Sequence, residues 1–513
     1  MTDNILKLSA RLDRNSLPAD LATSELNCHV SIVPNITTSD EGDLASSANI
    51  CLVFDCSYSM MGTKFDLALK TAKMIVDVLH ERHKLSLIAF HTNSNIVIKN
   101  AVPAESEKQF IKNQIDKLAS HMGGSTNMAS GIRRAMKVFS EDESDANIMV
   151  ILSDGEPNSA VKAQREANNA SEAGIQIFAV GIGDSYNANQ LLRLVTPSNG
   201  AVFGDSEESK ISDIFYDIIH RIDRIIATNV KLHVTFDEQI QLMQAFKISP
   251  ERSMYDSSTL NRDNDNIELR LGNIGDNRIH DVLLRLEAEK ADVGEERTIN
   301  VKLKYDSYYF GEKTTQQQEV TLTINYTHDD VQSFGESKRI KNAIRSAAIV
   351  QLGDELMQAC VDDDRDLALK IIEKLQQHCD MENNEALQQQ LDNIKNKINK
   401  RKVINDRDRN DFLLAITVAA PKAELFDLIL VEPGQETIRL VREIRNSTRK
   451  GLREIARMVQ RKNSVVTVFK SKSAAEKLLQ RLVNIGSKVK INSREIEEEE
   501  EEEQQQVKHE KVL

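Results

Sequence analysis

Ile50-Cys51-Leu52-Val53-Phe54-Asp55-Cys56-Ser57-Tyr58-Ser59-Met60-Met61-Gly62 changes character abruptly at Asp55. The apolar run Ile50 to Phe54 reads as a buried central strand of a parallel sheet, where both faces are covered and no polar alternation is required. It ends on a carboxylate, Asp55, expected to be exposed at the strand end with no core-packing duty, and two hydroxyls follow at alternate positions, Ser57 and Ser59. A helical segment then runs from about Thr63 to His83. One carboxylate and two hydroxyls therefore leave the carboxyl end of a strand, where open α/β sheets place their ligands. Hard oxygens at that spacing suit Mg2+, which takes near-octahedral oxygen coordination and usually keeps some water.

Two later stretches extend the pattern. Gly123-Gly124-Ser125-Thr126-Asn127 is a glycine turn that delivers a hydroxyl, Thr126, just before a helix from Met128 to Phe139. Ile148-Met149-Val150-Ile151-Leu152-Ser153-Asp154-Gly155-Glu156-Pro157-Asn158 is a second buried strand that ends in a carboxylate, Asp154. Asp-x-Ser-x-Ser, then Thr, then Ser-Asp-Gly, resembles the von Willebrand factor A family and its metal-ion-dependent adhesion site. The resemblance implies that Asp55, Ser57, Ser59, Thr126 and Asp154 hold Mg2+ or Mn2+. It further implies that an Asp or Glu of a protein partner completes the coordination, in a scaffold or adaptor rather than an enzyme.

The individual residues have ordinary readings too. Asp55 alone is a common turn residue and Thr126 alone a common helix N-cap. Cys56 has no motif-placed His beside it and reads as a small buried or rim thiol. His91, at the end of the next strand, reads as a satisfied loop histidine. A metal-dependent hydrolase is the least supported alternative, because no motif places a general base at the site.

The chain has 513 residues, enough for three or four domains. Aromatics are scarce, Trp is absent, and 28% of residues are charged, a soluble and helix-rich composition. No run of 18 apolar residues is present, so no membrane span is expected. Met1-Thr2-Asp3-Asn4 lacks the basic-then-apolar pattern of a secretory signal. Five cysteines without a Cys-x-x-Cys pair fit a reduced, intracellular, cytoplasmic protein. The net charge of −13 conceals segregation. Pro433 to Asn492 carries +11 and Ser493 to Leu513 carries −6, which leaves −18 on residues 1–432.

In chain order, Leu6–Leu12 and Cys28–Pro34 alternate like strands but cannot make a sheet alone. Residues 46–227 alternate strand and helix as a doubly wound, Rossmann-like sheet, with its last helix at Glu207–Ala227. The period then becomes two at Val230–Phe236, Ile267–Leu271, Val282–Leu286, Ile299–Tyr305 and Val320–Ile324, read as antiparallel strands. Joined to the N-terminal strands, these suggest a β-sandwich over residues 1–45 and 228–330, with the α/β domain inserted in it. Residues 333–402 read as a helical region of two or three packed helices or a stalk, and Arg401–Asp411 as a charged linker.

The C-terminal part, residues 420–492, has a βααβαβ order of a small α+β domain. With Lys450-Gly451-Leu452-Arg453-Glu454-Ile455 opening its second helix and Asn484-Ile485-Gly486-Ser487-Lys488-Val489 near its end, it resembles the C-terminal domain of the bacterial ribosomal stalk protein. That resemblance implies a partner-binding face at Ile438, Val441, Arg442 and Arg445. Thr437 and Ala456 stand where the stalk protein has lysines. Partners of that face are read as a translational GTPase, an acidic protein or RNA, or as some other partner of a reused adaptor. Residues 493–513, with the run Glu497–Glu503, read as a disordered acidic tail.

Overall fold

Eight consecutive buried residues, Ala48–Asp55, form a central strand of a six-stranded sheet. The strand order is Ser94–Ala101, Lys84–Phe90, Ala48–Asp55, Ala146–Ser153, Ile175–Ile182 and Val202–Asp205. All neighbours are parallel except the edge strand Ser94–Ala101. Successive side chains of a strand point to opposite faces, and the central strand divides accordingly. Ile50, Leu52 and Phe54 pack with Phe65, Ala68 and Ile75 of the helix Thr63–Val78. Cys51 and Val53 pack on the other face with Met128, Ile132 and Ala135 of the helix Met128–Phe139. The helix after Ala48–Asp55 covers one face and the helix after Ala146–Ser153, Ala160–Glu172, covers the other. Two adjacent strands thus send their crossovers to opposite sides, which opens a crevice at their carboxyl ends.

The computed structural model describes residues 4–35, 47–140, 146–183, 186–205, 218–219, 221–222, 224–255, 261–263, 266–276, 278–309, 312–328, 337–382, 384–418, 424–434, 437–448, 455, 458–459, 464–469, 478–479, 481–483 and 485–495. The chain divides into two units, Met1–Ala419 and Ala420–Leu513. Among the described residues no helix is long and apolar enough to cross a membrane.

Two further sheets in the first unit share one apolar core. One has the order Leu6–Leu12, Thr23–Pro34, His280–Glu289, Ile240–Ser249, Ser253–Met254. The other runs Asn261–Asp263, Asn266–Gly275, Ile225–Phe236, Glu296–Tyr309, Glu312–Thr327, Ser16–Pro18. The N-terminal strand Thr23–Pro34 pairs with His280–Glu289, far away in sequence. Ile225–Ala227, expected as the end of a helix, begins a strand instead. Ile240–Ser249, absent from the sequence reading, is a full strand. A register irregularity between Leu242 and Gln244 breaks its alternation, and Ala245–Ser249 is buried throughout. The second cover comes from the helix Lys338–Val361, whose Ala343 and Ala347 pack on Phe246 and Ile248.

That helix belongs to a bundle with Arg365–Glu382, Glu385–Asn399 and Asp406–Thr417. The fourth member corrects the expected linker at Arg401–Asp411. Asn405 caps it, with Asp408 completing a capping box, and Phe412 and Ile416 enter the bundle core. The charged first turn precedes the apolar run Phe412–Ile416, whose Leu413 and Leu414 pack against the core of the α/β sheet. The helix expected from about Thr63 to His83 is shorter, ending at Val78.

In the second unit Glu424–Glu432 lies between Ser464–Phe469 and Lys488–Glu495, antiparallel to both. Leu428, Leu430, Leu440, Ile444, Val466 and Leu482 form its core with the helix Thr437–Thr448. Most of the expected second helix at Lys450–Gln460, and residues 496–513, lie outside the described residues.

Gly131 sets how closely the helix Met128–Phe139 approaches the sheet. A Cβ there would stand 2.9 Å from both Val53 Cγ1 and Phe90 Cδ1, and both residues are buried. Alanine is the better helix former by about 1 kcal/mol, but overpacking a tight core costs about 1–3 kcal/mol. Gly131→Ala is therefore expected to lower the melting temperature. An equal or higher melting temperature in differential scanning fluorimetry would show that the sheet yields at this point.

Candidate metal centre

Asp55 is buried completely, which corrects the expectation that a strand-end carboxylate is solvent-exposed. Two donors hold it: the Ser57 backbone N–H at 2.9 Å on Oδ1 and the Ser153 hydroxyl at 2.6 Å on Oδ2. Ser153 Oγ in turn accepts from the Gly155 N–H at 3.1 Å. Burial dominates and pushes the Asp55 carboxyl up to about 6; the Ser153 and Ser57 bonds pull it back, and the nearby Asp154 charge pushes it up again. The Cys56 thiol is driven up to about 12, by burial first and by Asp55 second. It is a neutral, packed thiol with no nucleophilic character.

Three loops converge on Asp55. The Ser57 and Ser59 hydroxyls lie 3.0 Å apart. Gly123 N–H donates to Cys56 O at 2.8 Å and Tyr58 N–H to Gly124 O at 3.2 Å, which lashes the glycine turn to the serine loop. Gly124 has φ +72°, and a Cβ there would collide with Thr92 Oγ1 at 2.4 Å. Thr126 N–H donates to Asn158 Oδ1 at 3.0 Å, and Asn158 N–H donates to Thr126 O at 2.9 Å. That reciprocal pair joins the threonine turn to the loop that follows Asp154. The structure thus brings Asp55, Ser57, Ser59, Thr126 and Asp154 to one end of the sheet.

Ser57, Thr126 and Asp154 are buried, whereas Ser59 is exposed. Asp154 Oδ2 accepts from Lys64 Nζ at 3.2 Å, while its Oδ1 is buried without a hydrogen-bond partner. Among the described residues no three His, Cys, Asp or Glu side chains gather as a metal cluster. Two carboxylates, one of them with an unsatisfied oxygen, and three hydroxyls form a hard-oxygen donor set, which fits Mg2+ or Mn2+ better than a soft metal. Tyr58 and Met61 stand exposed on the same loop. Lys64 and Asn158 were missed by the sequence reading; Asn158 lies just beyond the quoted Ser-Asp-Gly. His91, expected to be satisfied, has a buried Nδ1 without a partner.

Residues 49–217 match the von Willebrand factor type A domain profile. The chain carries a von Willebrand factor type A domain. Residues 426–492 match the ribosomal protein L7/L12 C-terminal domain profile. An uncharacterised Synechocystis protein is 24% identical over 325 residues, covering 62% of this chain and 75% of the relative. The pig inter-alpha-trypsin inhibitor heavy chain H2 is 25% identical over 184 residues, 33% of this chain and 20% of that much longer protein. Among solved structures, a von Willebrand factor type A protein from Catenulispora acidiphila superposes with a TM-score of 0.66 at 16% identity. It covers 80% of this chain and 96% of that one, so the likeness of fold extends well beyond the type A domain.

In the L7/L12-like unit, Arg442 is exposed and Val441 is half-buried against the core. The side chains of Ile438 and Arg445 lie outside the described residues.

The burial of Asp55 has a measurable cost. Its carboxyl titrates near 3.8 when unfolded and near 6 when folded. Between those values the folded state keeps a proton that the unfolded state has released, so stability falls as pH rises from about 4 to 6. Above pH 6 the penalty is constant, on the order of 3 kcal/mol. Asp55→Asn is therefore expected to melt several degrees above the parent at pH 7.5 in EDTA, with the gain vanishing near pH 4. A lower melting temperature for the variant at pH 7.5 would contradict a charge-burial cost at this position.

Proposed function

We propose that this chain is a Mg2+- or Mn2+-dependent protein-interaction scaffold. Asp55, Ser57, Ser59, Thr126 and Asp154 hold the ion, and an Asp or Glu of a protein partner completes its coordination. The observation that carries this reading is the donor set itself: hydroxyls and carboxylates gathered at one sheet end, with a buried Asp154 oxygen that no protein group satisfies. The ion supplies a positive charge to which a partner carboxylate binds. The exposed Tyr58 and Met61 beside it offer apolar area for the rest of the contact. Thr126 sits in a turn tied to both neighbouring loops, so partner engagement and loop position are coupled. We place no catalysis here, since the adjacent thiol is protonated and no general base belongs to the set. The L7/L12-like unit is an adaptor with Arg442 on its surface, carried on the same chain for a second, acidic partner such as a translational GTPase.

Isothermal titration with Mg2+ and Mn2+ tests the ion directly. Thr126→Ala is expected to weaken binding at least tenfold without altering the circular dichroism spectrum; unchanged binding would remove Thr126 from the site. Lys64 is a resident cation against Asp154 Oδ2, and its charge opposes that of an ion arriving at Oδ1. Lys64→Met is accordingly expected to tighten Mg2+ binding several-fold, whereas a weaker affinity would make Lys64 a support for Asp154 instead.

A further inference from the structure

The turn that leads into the helix Ala188–Val195 lies directly against the loop of Asp154. Asn187 N–H donates to Asp154 O at 2.9 Å. Gly155 follows with φ +79°, and a Cβ there would stand 2.9 Å from Asn187 O and 3.0 Å from Asn187 N. The Asn187 backbone thus closes over Gly155 as tightly as a glycine permits. Gly155 N–H is itself taken by Ser153 Oγ. Both polar ends of the peptide between Asp154 and Gly155 are therefore held, one by the turn and one by the serine that also bonds Asp55.

The turn is gripped by a residue 222 positions after Ala188. Asn410 Nδ2 donates to Tyr186 O at 2.5 Å, and Asn410 Oδ1 accepts from Ala188 N–H at 3.2 Å. All three residues are buried. Ala188 opens its helix, so its N–H has no acceptor within that helix. The Asn187 side chain serves the Gln190 N–H instead, at 3.1 Å. A side-chain amide donates and accepts at once; a carboxylate only accepts, and an aliphatic group does neither. Leu413 and Leu414 pack on the core that holds Tyr186, Ala188 and Leu191. Spacings of three and four place 410, 413 and 414 on one face of the helix Asp406–Thr417. Phe412 and Ile416 of the same helix enter the bundle core.

We propose that Asn410 is a positioning residue for the ion, which rests on the reading above that Asp154 holds it. Docking of the helix Asp406–Thr417 fixes the turn, the turn fixes the peptide after Asp154, and that peptide sets where the unpartnered Asp154 Oδ1 stands. The type A domain match ends at residue 217, so ion affinity depends on a helix outside the domain that supplies the ligands. Coupling of this kind is reciprocal, and ion binding strengthens helix docking by the same factor.

Titration calorimetry of the full-length protein with Mn2+ tests the first direction. Asn410→Ala, and Asn410→Asp, which keeps an acceptor for Ala188 but loses the donor to Tyr186, are each expected to bind at least fivefold more weakly. Leu387→Ala removes a buried side chain from the same bundle core, on the helix Glu385–Asn399. It is expected to lower the melting temperature as much as Asn410→Ala while leaving the Mn2+ affinity unchanged, which separates positioning from general loosening of the bundle. Hydrogen exchange on the unaltered protein reads the reverse direction and needs no variant to fold. Mn2+ should slow the amides of Asp406–Thr417 severalfold more than those of Glu385–Asn399. Parent-like affinity in both Asn410 variants, an equal loss in Leu387→Ala, or exchange in Asp406–Thr417 that Mn2+ leaves untouched overturns the positioning role, with the ion reading still standing. Absence of Mn2+ binding to the parent overturns both.

Discussion

A carboxylate buried at the end of a central strand is the constraint to which the surroundings of Asp55 answer. Burial alone pushes its proton affinity well above that of a free side chain, and hydrogen bonds from Ser153 and Ser57 lower it again. A second carboxylate, Asp154, ends the adjacent strand and raises the cost further. Two acids so close need positive charge. Lys64, reaching from the first turn of the next helix, supplies part of it to Asp154. The parallel pairing of the two strands fixes the spacing of the two acids, and the exit of their helices to opposite faces of the sheet leaves the space above them open.

The loops around those acids are tied to structure outside the type A domain. Asn187 N–H donates to Asp154 O at 2.9 Å. On either side of Asn187, Tyr186 O accepts from Asn410 Nδ2 at 2.5 Å and Ala188 N–H donates to Asn410 Oδ1 at 3.2 Å. Asn410 belongs to the last helix of the bundle, Asp406–Thr417, and is buried there. One side chain of the bundle thus holds the turn that supports Asp154. The bundle is anchored in its turn to the neighbouring sheets by Arg252 and Glu382 and by Ala343 and Ala347 on Phe246. These contacts fasten the Asp154 loop to the bundle.

Much of this was legible in the sequence because it rests on local pattern. Apolar runs that end in a carboxylate gave both central strands, and alternating hydroxyls located the site residues now found together at the sheet end. Other features depend on contacts that no local pattern encodes. The strand Ile240–Ser249 loses its alternation at a bulge and gains a second cover from a helix nearly a hundred residues later. The helix Asp406–Thr417 hides two core residues, Phe412 and Ile416, behind a run of charges. Asp55 looked exposed because strand-end carboxylates usually are; the Ser153 hydroxyl that permits its burial lies 98 positions away.

The ion site is tested most directly by diffraction from crystals grown with Mn2+, with data collected at the manganese absorption edge. An anomalous peak bounded by the Ser57, Ser59 and Thr126 hydroxyls, with Asp55 and Asp154 behind it, is the predicted result. No peak at that position, or one held by a different set of residues, would contradict the account.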